Sequence, residues 1–362
     1  MSSTPEGATS AGVAFPLLGD TVPGSLKRRL RAWRQIIDHR WVLKTIKRGL
    51  KLDFVLRPSA PKFLPNHKMT PQEAAFVTSE VARLCVVGAI SRQSCRPFLC
   101  LPLGVVPKKN GKLRLIHDLR FLNSRLQRPA RFKLEDLSTV ASQLKEDDEM
   151  MTLDLEQGYH HVEINKRYRR YFGFEWQGQW YTWNVLPFGL STAPLVFTKV
   201  LRPVVQHLRS LGLRVDLYLD DFLLMVPVGK SSTAHRATLL ETLHKLGLHV
   251  NYEKSSLNPS RRIEYLGMEL STVGRPTFMV PRARLKKIRH EISRTLRQTA
   301  PFPAHHLARL AGVCVSARSA RSYQDGCCSA TSTGNWQASA TSARLSFSRW
   351  ALERTSGGGC TH

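Results

Sequence analysis

The sequence predicts an α+β fold. From Met150 onward the predicted elements run strand, hairpin, helix, hairpin, helix, strand, and this order favours a mixed core over a doubly wound parallel sheet. Hydrophobic residues make up 42% of the 362 residues and charged residues 22%, which is typical of globular proteins. The length allows two or three domains, or one large domain with subdomains.

Four helices are predicted from apolar periodicity and from end signals. The first has a capping box from Thr70 to Glu73, with Pro71 at its first position and Gly88 as its stop. The second runs from Ser191 or Thr192 to about Gly212, with a kink at Pro203. The apolar positions of the others are Leu239, Leu240, Leu243 and Leu246, before Gly247, and Leu285, Ile288, Ile292 and Leu296, in a basic stretch from Val280 to about Val315.

The strands are predicted from period-two alternation and turn dipeptides. Asn110-Gly111 precedes one strand, and Gln177-Gly178 forms the tip of a hairpin. Another strand runs into Asp154, and a second hairpin surrounds Asp220. We expect "IEYLGMEL", residues 263–270, to form one late strand.

The charge is strongly basic. Lys and Arg number 54 against 27 Asp and Glu, for a net charge of +27 and a pI near 10.4. An extended polyanion such as nucleic acid is the expected partner, although a membrane surface would offer similar charge. Residues 27–51 concentrate basic residues around Trp33 and Trp41. These tryptophans suit either stacking on bases or packing against the main body, and the two alternatives are compatible.

The lack of recognisable secretion and membrane signals predicts a soluble intracellular chain, nuclear or cytoplasmic, that is neither secreted nor membrane-bound. The N-terminus lacks a secretory pattern, and no apolar run approaches a membrane span. The seven cysteines show no CxxC pair, so reduced thiols are expected. The segment Leu26 to Arg34 fits a nuclear localisation signal or a nucleic-acid contact equally well.

Asp220 and Asp221 lie inside the apolar stretch "VDLYLDDFLLM". Burying adjacent carboxylates is costly unless cations compensate them. Neighbouring strand residues point to opposite faces, so both converge on one ligand only at a tight hairpin tip. With Asp154 they would form an all-oxygen site suited to Mg²⁺ or Mn²⁺, which usually completes its shell with substrate phosphates. The alternative for the pair alone is a polar turn.

Six ordered motifs between Met69 and Leu270 resemble reverse transcriptases. They are "VPKKNGKLRLIHDLRFLN", "LDLEQGYHHVEI", "LPFGLSTAPLVFTKVL", "YLDD", "LGLHVNYEKSSL" and "RRIEYLGMEL". The wording "LPFGLSTAP" and "DLRFLN" is most similar to retrotransposon enzymes of the gypsy and DIRS types. "WRQIIDHRWVLKTIKRGLKLDF" also resembles the DIRS type.

The resemblance implies a right-hand polymerase fold of fingers, palm and thumb, with a ferredoxin-like palm sheet. The expected segments are a flexible leader (1–26), a basic N-terminal extension (27–66), fingers (67–135), a palm (136–272) with an inserted fingers hairpin (about 166–185), a thumb-like basic helical region (273–319) and a low-complexity tail (320–362), disordered or translated out of frame.

The resemblance also assigns roles to individual residues. Asp154, Asp220 and Asp221 would be catalytic and hold two Mg²⁺ ions, with Mn²⁺ as a substitute. The nucleotide-binding residues would be Lys112, Arg114, Gly158, Tyr159, Phe188, Gly189 and Lys254. The primer-positioning residues would be Tyr218, Tyr265, Leu266, Gly267 and Met268.

Tyr159 would exclude a 2′-hydroxyl and so select deoxynucleotides, and Lys254 would donate a proton to pyrophosphate. Phe188 stands where retroviral relatives usually carry glutamine. Each of the cations has the alternative of a solvated surface residue, and Tyr159 that of a core tyrosine.

The implied function is RNA-directed DNA polymerisation with an RNA or DNA template, a primer and dNTPs; the oligomeric state stays open. One alternative is an inactive or domesticated remnant that binds nucleic acid. Another is an RNA-dependent RNA polymerase, against which Tyr159 and "LPFGL" speak. A ribonuclease H site is not visible, because the tail after Ser319 has only Asp325 and Glu353 as acidic residues.

Overall fold

The computed structural model describes residues 21–108, 111–127, 134–135, 137–297 and 312. The chain divides into two compact units. The larger runs to Leu266 and includes Ser271–Arg275; the smaller holds Gly267–Leu270 and continues from Pro276. The predicted low-complexity tail and most of the predicted leader lie outside the described residues.

The helices and strands are numbered here in chain order. The helices are α1 (Ser25–Arg28), α2 (Leu30–Ile36), α3 (Arg40–Arg48), α4 (Pro71–Val86), α5 (Arg120–Asn123), α6 (Leu137–Gln143), α7 (Ala193–Ser210), α8 (Ser232–Lys245) and α9 (Arg282–Arg297), with 3₁₀ turns at Gly158–His161 and Lys166–Tyr171. The strands are β1 (Lys62–Phe63), β2 (Ile90–Gln93), β3 (Leu99–Cys100), β4 (Leu103–Pro107), β5 (Leu113–His117), β6 (Glu149–Leu155), β7 (Gly173–Trp176), β8 (Gln179–Trp183), β9 (Arg214–Tyr218), β10 (Asp221–Val226), β11 (Val250–Ser260), β12 (Arg262–Tyr265), β13 (Met268–Ser271) and β14 (Thr277–Met279).

A four-stranded antiparallel sheet in the order β11-β6-β10-β9 forms the centre of the larger unit. Its strands and two helices follow the chain as β6-α7-β9-β10-α8-β11. A β-α-β-β-α-β sequence with the spatial order four, one, three, two is the ferredoxin-like arrangement. The predicted ferredoxin-like palm sheet and α+β class are therefore confirmed.

The larger unit also contains a five-stranded sheet in the order β1-β3-β7-β8-β2 and a separate β4–β5 hairpin. The predicted hairpin with Gln177 and Gly178 at its tip is formed by β7 and β8. Both tip residues have positive φ, 49° and 75°, as a two-residue turn of this kind requires. Helix α4 has the predicted capping box: the Thr70 side chain accepts from Glu73 N–H, and the Glu73 carboxylate accepts from Thr70 N–H.

The N-terminal helices belong to the core of the larger unit. Trp33 is fully buried, and its indole N–H donates to the Leu246 carbonyl at 2.8 Å. Trp41 is partly buried, with the Lys199 ammonium 4.2 Å from its ring centroid. Both tryptophans therefore pack on the main body, and Trp33 offers no surface for stacking on bases. Helix α1 starts at Ser25 and buries Leu26, at the end of the segment that is expected to be a leader.

Two further predictions differ from the structure at their ends. The expected single late strand is two strands, β12 and β13, because Leu266 and Gly267 between them both have positive φ, 49° and 72°. The predicted basic helix corresponds to α9, which runs from Arg282 to Arg297 and places Ile288 on its buried side. Most of its predicted continuation to Val315 lies outside the described residues.

None of the described helices is both long and apolar enough to cross a membrane.

Candidate active site

Strands β6 and β10 place two of the predicted aspartates side by side. In the antiparallel register Asp154 is the direct partner of Asp221, and Asn251 of β11 flanks Asp154 on its other side. Residues opposite each other in such a pair have Cα atoms about 4.5–5.5 Å apart. The register therefore brings two carboxylates, far apart in sequence, to the same end of the same sheet.

Asp220 lies at the tip of the β9–β10 hairpin. Tyr218 pairs with Asp221, which leaves a two-residue turn of Leu219 and Asp220. Leu219 has φ 58°, a left-handed conformation that a leucine rarely adopts. This is the tight tip that the sequence argument requires, because it removes Asp220 from strand alternation and lets it lie near Asp221.

Gly158 permits a close approach to Asp220. A Cβ atom added at Gly158 would lie 3.1 Å from the Asp220 Cβ and 3.2 Å from the Phe197 ring. Such distances are tighter than ordinary van der Waals contact, so a side chain at this position would displace one of these neighbours. Gly158 therefore acts as a spacer for the hairpin tip.

The three carboxylates interact electrostatically. Burial, and then the charge of Asp154, raise the pKa of Asp220 above its ordinary value. Burial raises the pKa of Asp221 to about 6, with further contributions from the charges of Asp220 and Asp154 and from a hydrogen bond with Asp154. Desolvated carboxylates close to one another are unstable as a set of three anions unless cations neutralise them.

Lys254 supplies part of this compensation. Its ammonium lies 3.6 Å from Asp154 Oδ1 while the side chain remains 68% exposed. The same Oδ1 is buried and accepts no hydrogen bond from any described residue. The Asp154 N–H donates to Ser255 Oγ at 3.1 Å, and Ser255 Oγ donates to the Asn251 carbonyl at 2.7 Å. These bonds fix the Asp154 backbone and leave its carboxylate available.

The donor set fits a hard divalent cation. Buried carboxylate oxygens without donors, crowded by other carboxylates, are suited to Mg²⁺ or Mn²⁺. In the part of the chain that the structure describes, no group of three or more His, Cys, Asp or Glu side chains is placed so that it could hold a metal ion. In Mg²⁺ sites, water and phosphate oxygens usually complete the coordination shell.

A polar network supports the hairpin from within the sheet. The Tyr265 hydroxyl lies 3.0 Å from Asp216 Oδ2, to which it donates, and 3.2 Å from the Asp221 carbonyl. Glu135 Oε2 accepts from Arg209 Nη2 at 2.8 Å and from Leu217 N–H at 3.1 Å. The network connects both strands of the hairpin to the late strand β12.

Asp216 is fully buried at the centre of this network. Its pKa is raised to about 7, first by burial and then by the neighbouring Glu135 carboxyl, and its Oδ1 receives no donor from the described residues. Asp216, Glu135 and Arg209 were not predicted from the sequence as site residues. The available signal was Asp216 itself, a charged residue in the apolar strand text "LRVDLYLDD".

An aromatic group lines the region beside Asp220. The Tyr159 ring is 5.2 Å from that of Phe188 and 5.6 Å from that of Phe197. Burial and the nearby Asp220 charge raise the pKa of Tyr159. Phe188 is 45% exposed, so its ring is accessible to a ligand.

The loop that carries Phe188 and Gly189 is held by Asn123. The Asn123 side-chain amide donates to the Gly189 carbonyl at 2.8 Å, and its oxygen accepts from Ser191 N–H at 2.9 Å. Gly189 has φ 102°, and a Cβ there would lie 3.0 Å from the His117 carbonyl. Asn123 was part of the quoted motif "DLRFLN" but was not singled out as a functional residue.

The predicted fingers cations and primer residues occupy different surroundings. Lys112 and Arg114 are exposed at the β4–β5 hairpin, and Lys254 forms an ion pair with Asp154. Tyr265 is only 3% exposed, and its side chain contacts the β9–β10 hairpin instead of solvent. The other predicted primer residues are the partly buried Tyr218, Leu266 and Gly267 and the buried Met268.

Comparison with known proteins identifies the domain. Residues 106–270 match the family model described as reverse transcriptase (RNA-dependent DNA polymerase). The chain is 30% identical over 205 residues to the Pol polyprotein from transposon gypsy of Drosophila melanogaster, covering 55% of this chain and 19% of that polyprotein. It is 30% identical over 182 residues to the Gag-Pro-Pol polyprotein of human T-cell leukemia virus 2, covering 47% of this chain and 12% of the relative.

The fold is that of a solved viral enzyme. The foamy viral protease-reverse transcriptase in complex with dsDNA superimposes with a TM-score of 0.62 at 19% identity, over 86% of this chain and 64% of that chain. The same viral protein has been solved with an RNA/DNA hybrid. The right-hand polymerase fold is therefore confirmed. The matched part of this chain spans less than a fifth of either polyprotein, and residues 106–270 are the part that is similar to the reverse-transcriptase family.

Proposed function

We propose that the protein is an RNA-directed DNA polymerase of a retrotransposon, which adds deoxynucleotides to a primer 3′-hydroxyl. The observation that carries the proposal is the β6–β10 register, which sets Asp154 opposite Asp221 beside a hairpin tip carrying Asp220. The sequence around the site is that of the reverse-transcriptase family. The proposed partners are an RNA or DNA template with its primer, and dNTPs, inside the cell.

Asp154, Asp220 and Asp221 are the proposed holders of two divalent cations. When bound, Mg²⁺ or Mn²⁺ would activate the attacking hydroxyl and neutralise the triphosphate. The metal-free carboxylates are crowded and partly desolvated, and binding a cation relieves both effects. Lys254, whose ammonium already approaches Asp154, would be free on cation binding to direct its Nζ proton towards the leaving pyrophosphate.

The aromatic group sets the proposed sugar selectivity. Tyr159 packs between Phe188 and Phe197, which restricts its ring to one position beside Asp220. A rigid ring at the 2′ carbon of an incoming nucleotide would clash with a 2′-hydroxyl and accept a deoxyribose. Lys112 and Arg114, which are exposed at the β4–β5 hairpin, would neutralise the triphosphate.

Primer extension on an RNA template with dNTPs and Mg²⁺ tests the proposal. The test variant is Asp220→Asn with Asp221→Asn, and the matched control is Asp38→Asn with Asp53→Asn, because that pair removes equal charge from exposed positions. We expect extension by the wild type and the control, with a loss of at least 1000-fold in the test variant. Folded wild-type protein that binds primer–template but extends nothing would refute the proposal and favour the nucleic-acid-binding remnant.

A further inference from the structure

We propose that α3 presents a second nucleic-acid surface, separate from the polymerase cleft, which binds the phosphate backbone of a single strand. The basic face consists of Arg40, Lys44, Lys47 and Arg48. All four side chains are exposed. Their spacing of four, three and one residues puts them on one side of a helix.

The basic face carries uncompensated charge. Across the described residues no carboxylate lies within ion-pair distance of any of its four side chains. Asp38 and Asp53 are the acidic residues nearest in sequence, and the stretch between them contains none. Because no nearby carboxylate neutralises these four positive charges, the basic face should attract a polyanion.

The opposite side of α3 packs into the protein core. Val42, Thr45 and Ile46 are buried, with Val42 fully enclosed. A helix that lies on a membrane must insert an exposed apolar face into the lipid, and α3 has no such face to offer. The apolar residues hold the helix in place, and the exposed cations are accessible to a ligand in solution. These contacts favour nucleic acid over an anionic membrane.

The apolar side of α3 belongs to the same hydrophobic cluster as the side of β6 that faces away from Asp154. Along β6, Leu153 and Leu155 point to the face opposite Asp154 by strand alternation. These leucines belong to the same hydrophobic cluster as Trp33 and Val42 of the N-terminal helices. A strand bound to α3 is therefore not the primer end held at the carboxylates.

The size of the face fits a short stretch of one strand. Arg40 and Arg48 are eight residues apart, which is about 12 Å along the helix axis. At about 3.4 Å per charge along one nucleic-acid strand, this length matches on the order of three phosphates. Trp33 is buried, so contact with the backbone and weak sequence preference are expected.

The experiment uses the full chain whose cleft is first saturated with a short unlabelled hairpin primer–template. Fluorescent single-stranded RNA of about 20 nucleotides is then added, and binding is followed by anisotropy over a range of salt concentrations. The test variant carries Arg40→Gln, Lys44→Gln and Lys47→Gln. The matched control removes three exposed lysines elsewhere, with Lys145→Gln, Lys230→Gln and Lys245→Gln.

We expect the loaded wild type and control to bind the RNA, and the test variant to bind at least 10-fold more weakly. The slope of log K against log salt should fall in magnitude by about 2, three contacts at roughly 0.7 each. Extension of the short hairpin should be unchanged in all three proteins, and its loss in the test variant alone would overturn the separation from the cleft. Single-stranded DNA in a parallel series distinguishes RNA from DNA as the source of the phosphates, and both results support the face.

Three results would overturn the proposal. The first is an absence of RNA binding once the cleft is loaded. The second is an equal loss in the test and control variants, which would mean that only net charge matters. The third is a loss of binding to phosphatidylserine vesicles without any loss of RNA binding, which would identify a membrane contact. Every substituted side chain is exposed, so we expect the variants to have equal melting temperatures. This measurement checks that folding is unaffected.

Discussion

Replacing Asp216 with Asn should increase the free energy of unfolding relative to that of the wild type, and this gain should be larger at pH 8 than at pH 5. Asp216 is fully buried, accepts from Tyr265 at 3.0 Å and faces the Glu135 carboxyl. Asn keeps the oxygen that accepts from Tyr265 and adds an amide that donates to Glu135. The variant therefore preserves the shape of the network while removing the group that ionises.

The sign follows from the pKa of Asp216, which is raised to about 7 from 3.8. Below pH 3.8 the carboxyl is protonated in both the folded and the unfolded chain, and it contributes no pH dependence. As pH rises from there to 7, the unfolded chain loses this proton while the folded chain retains it, so the free energy of unfolding decreases. The loss reaches at most about 4 kcal/mol above pH 7, from roughly 1.36 kcal/mol per pH unit.

Urea unfolding followed by tryptophan fluorescence at pH 5, 6, 7 and 8 measures the effect. The stability of Asp216→Asn minus that of the wild type should increase steadily over this range and level off near pH 8. Asp53→Asn, at an exposed position, should give a flat difference. A difference that stays constant with pH for Asp216→Asn, or that decreases, would refute the assignment of a protonated Asp216 in the β9–β10 hairpin.

Three further predictions concern the candidate site. Mg²⁺ should raise the melting temperature of the wild type, by an amount equivalent to about 2.7 kcal/mol at 100 times Kd. It should not raise that of the Asp220→Asn, Asp221→Asn double variant. Equal shifts of the two proteins in calorimetry would mean that the cation binds elsewhere. Tyr159→Ala should raise the ratio of ribonucleotide to deoxynucleotide kcat/KM at least 10-fold in single-nucleotide extension, because the ring beside Asp220 is removed; an unchanged ratio would mean that Tyr159 is not the sugar gate. Gly158→Ala should reduce extension at least 10-fold and cost about 1–3 kcal/mol in urea unfolding, because its methyl group would lie 3.1 Å from the Asp220 Cβ; wild-type kcat would show that the hairpin tip tolerates displacement.

Local sequence patterns were sufficient to predict much of the palm. Strand alternation before Asp154 and the need for a tight tip at Asp220 led to the observed hairpin, because both features depend on neighbours in sequence. The capping box at Thr70 was correct for the same reason. The break at Leu266 and Gly267 was missed because the surrounding residues 263–270 mix apolar residues with Glu264 and Glu269 as an exposed strand does.

Long-range contacts could not be obtained in this way. The bond from Tyr265 to Asp216 joins residues 49 positions apart, and that from Trp33 to Leu246 joins residues 213 apart. Nothing in the spacing around Tyr265 distinguishes a hydroxyl that supports the hairpin from one that contacts a primer. Likewise, a tryptophan among arginines gives the same local pattern whether it stacks on a base or anchors a helix.

The anchoring of the N-terminal helices has a practical consequence for truncation. The family match begins at residue 106, yet the hydrophobic cluster around the palm extends back to Leu26 and Trp33. A fragment trimmed to the matched region would expose the surface against which these helices pack and would lose the hydrogen bond from Trp33 to the Leu246 carbonyl. Such a fragment is expected to aggregate on expression, so a stable fragment should retain the chain from about residue 21.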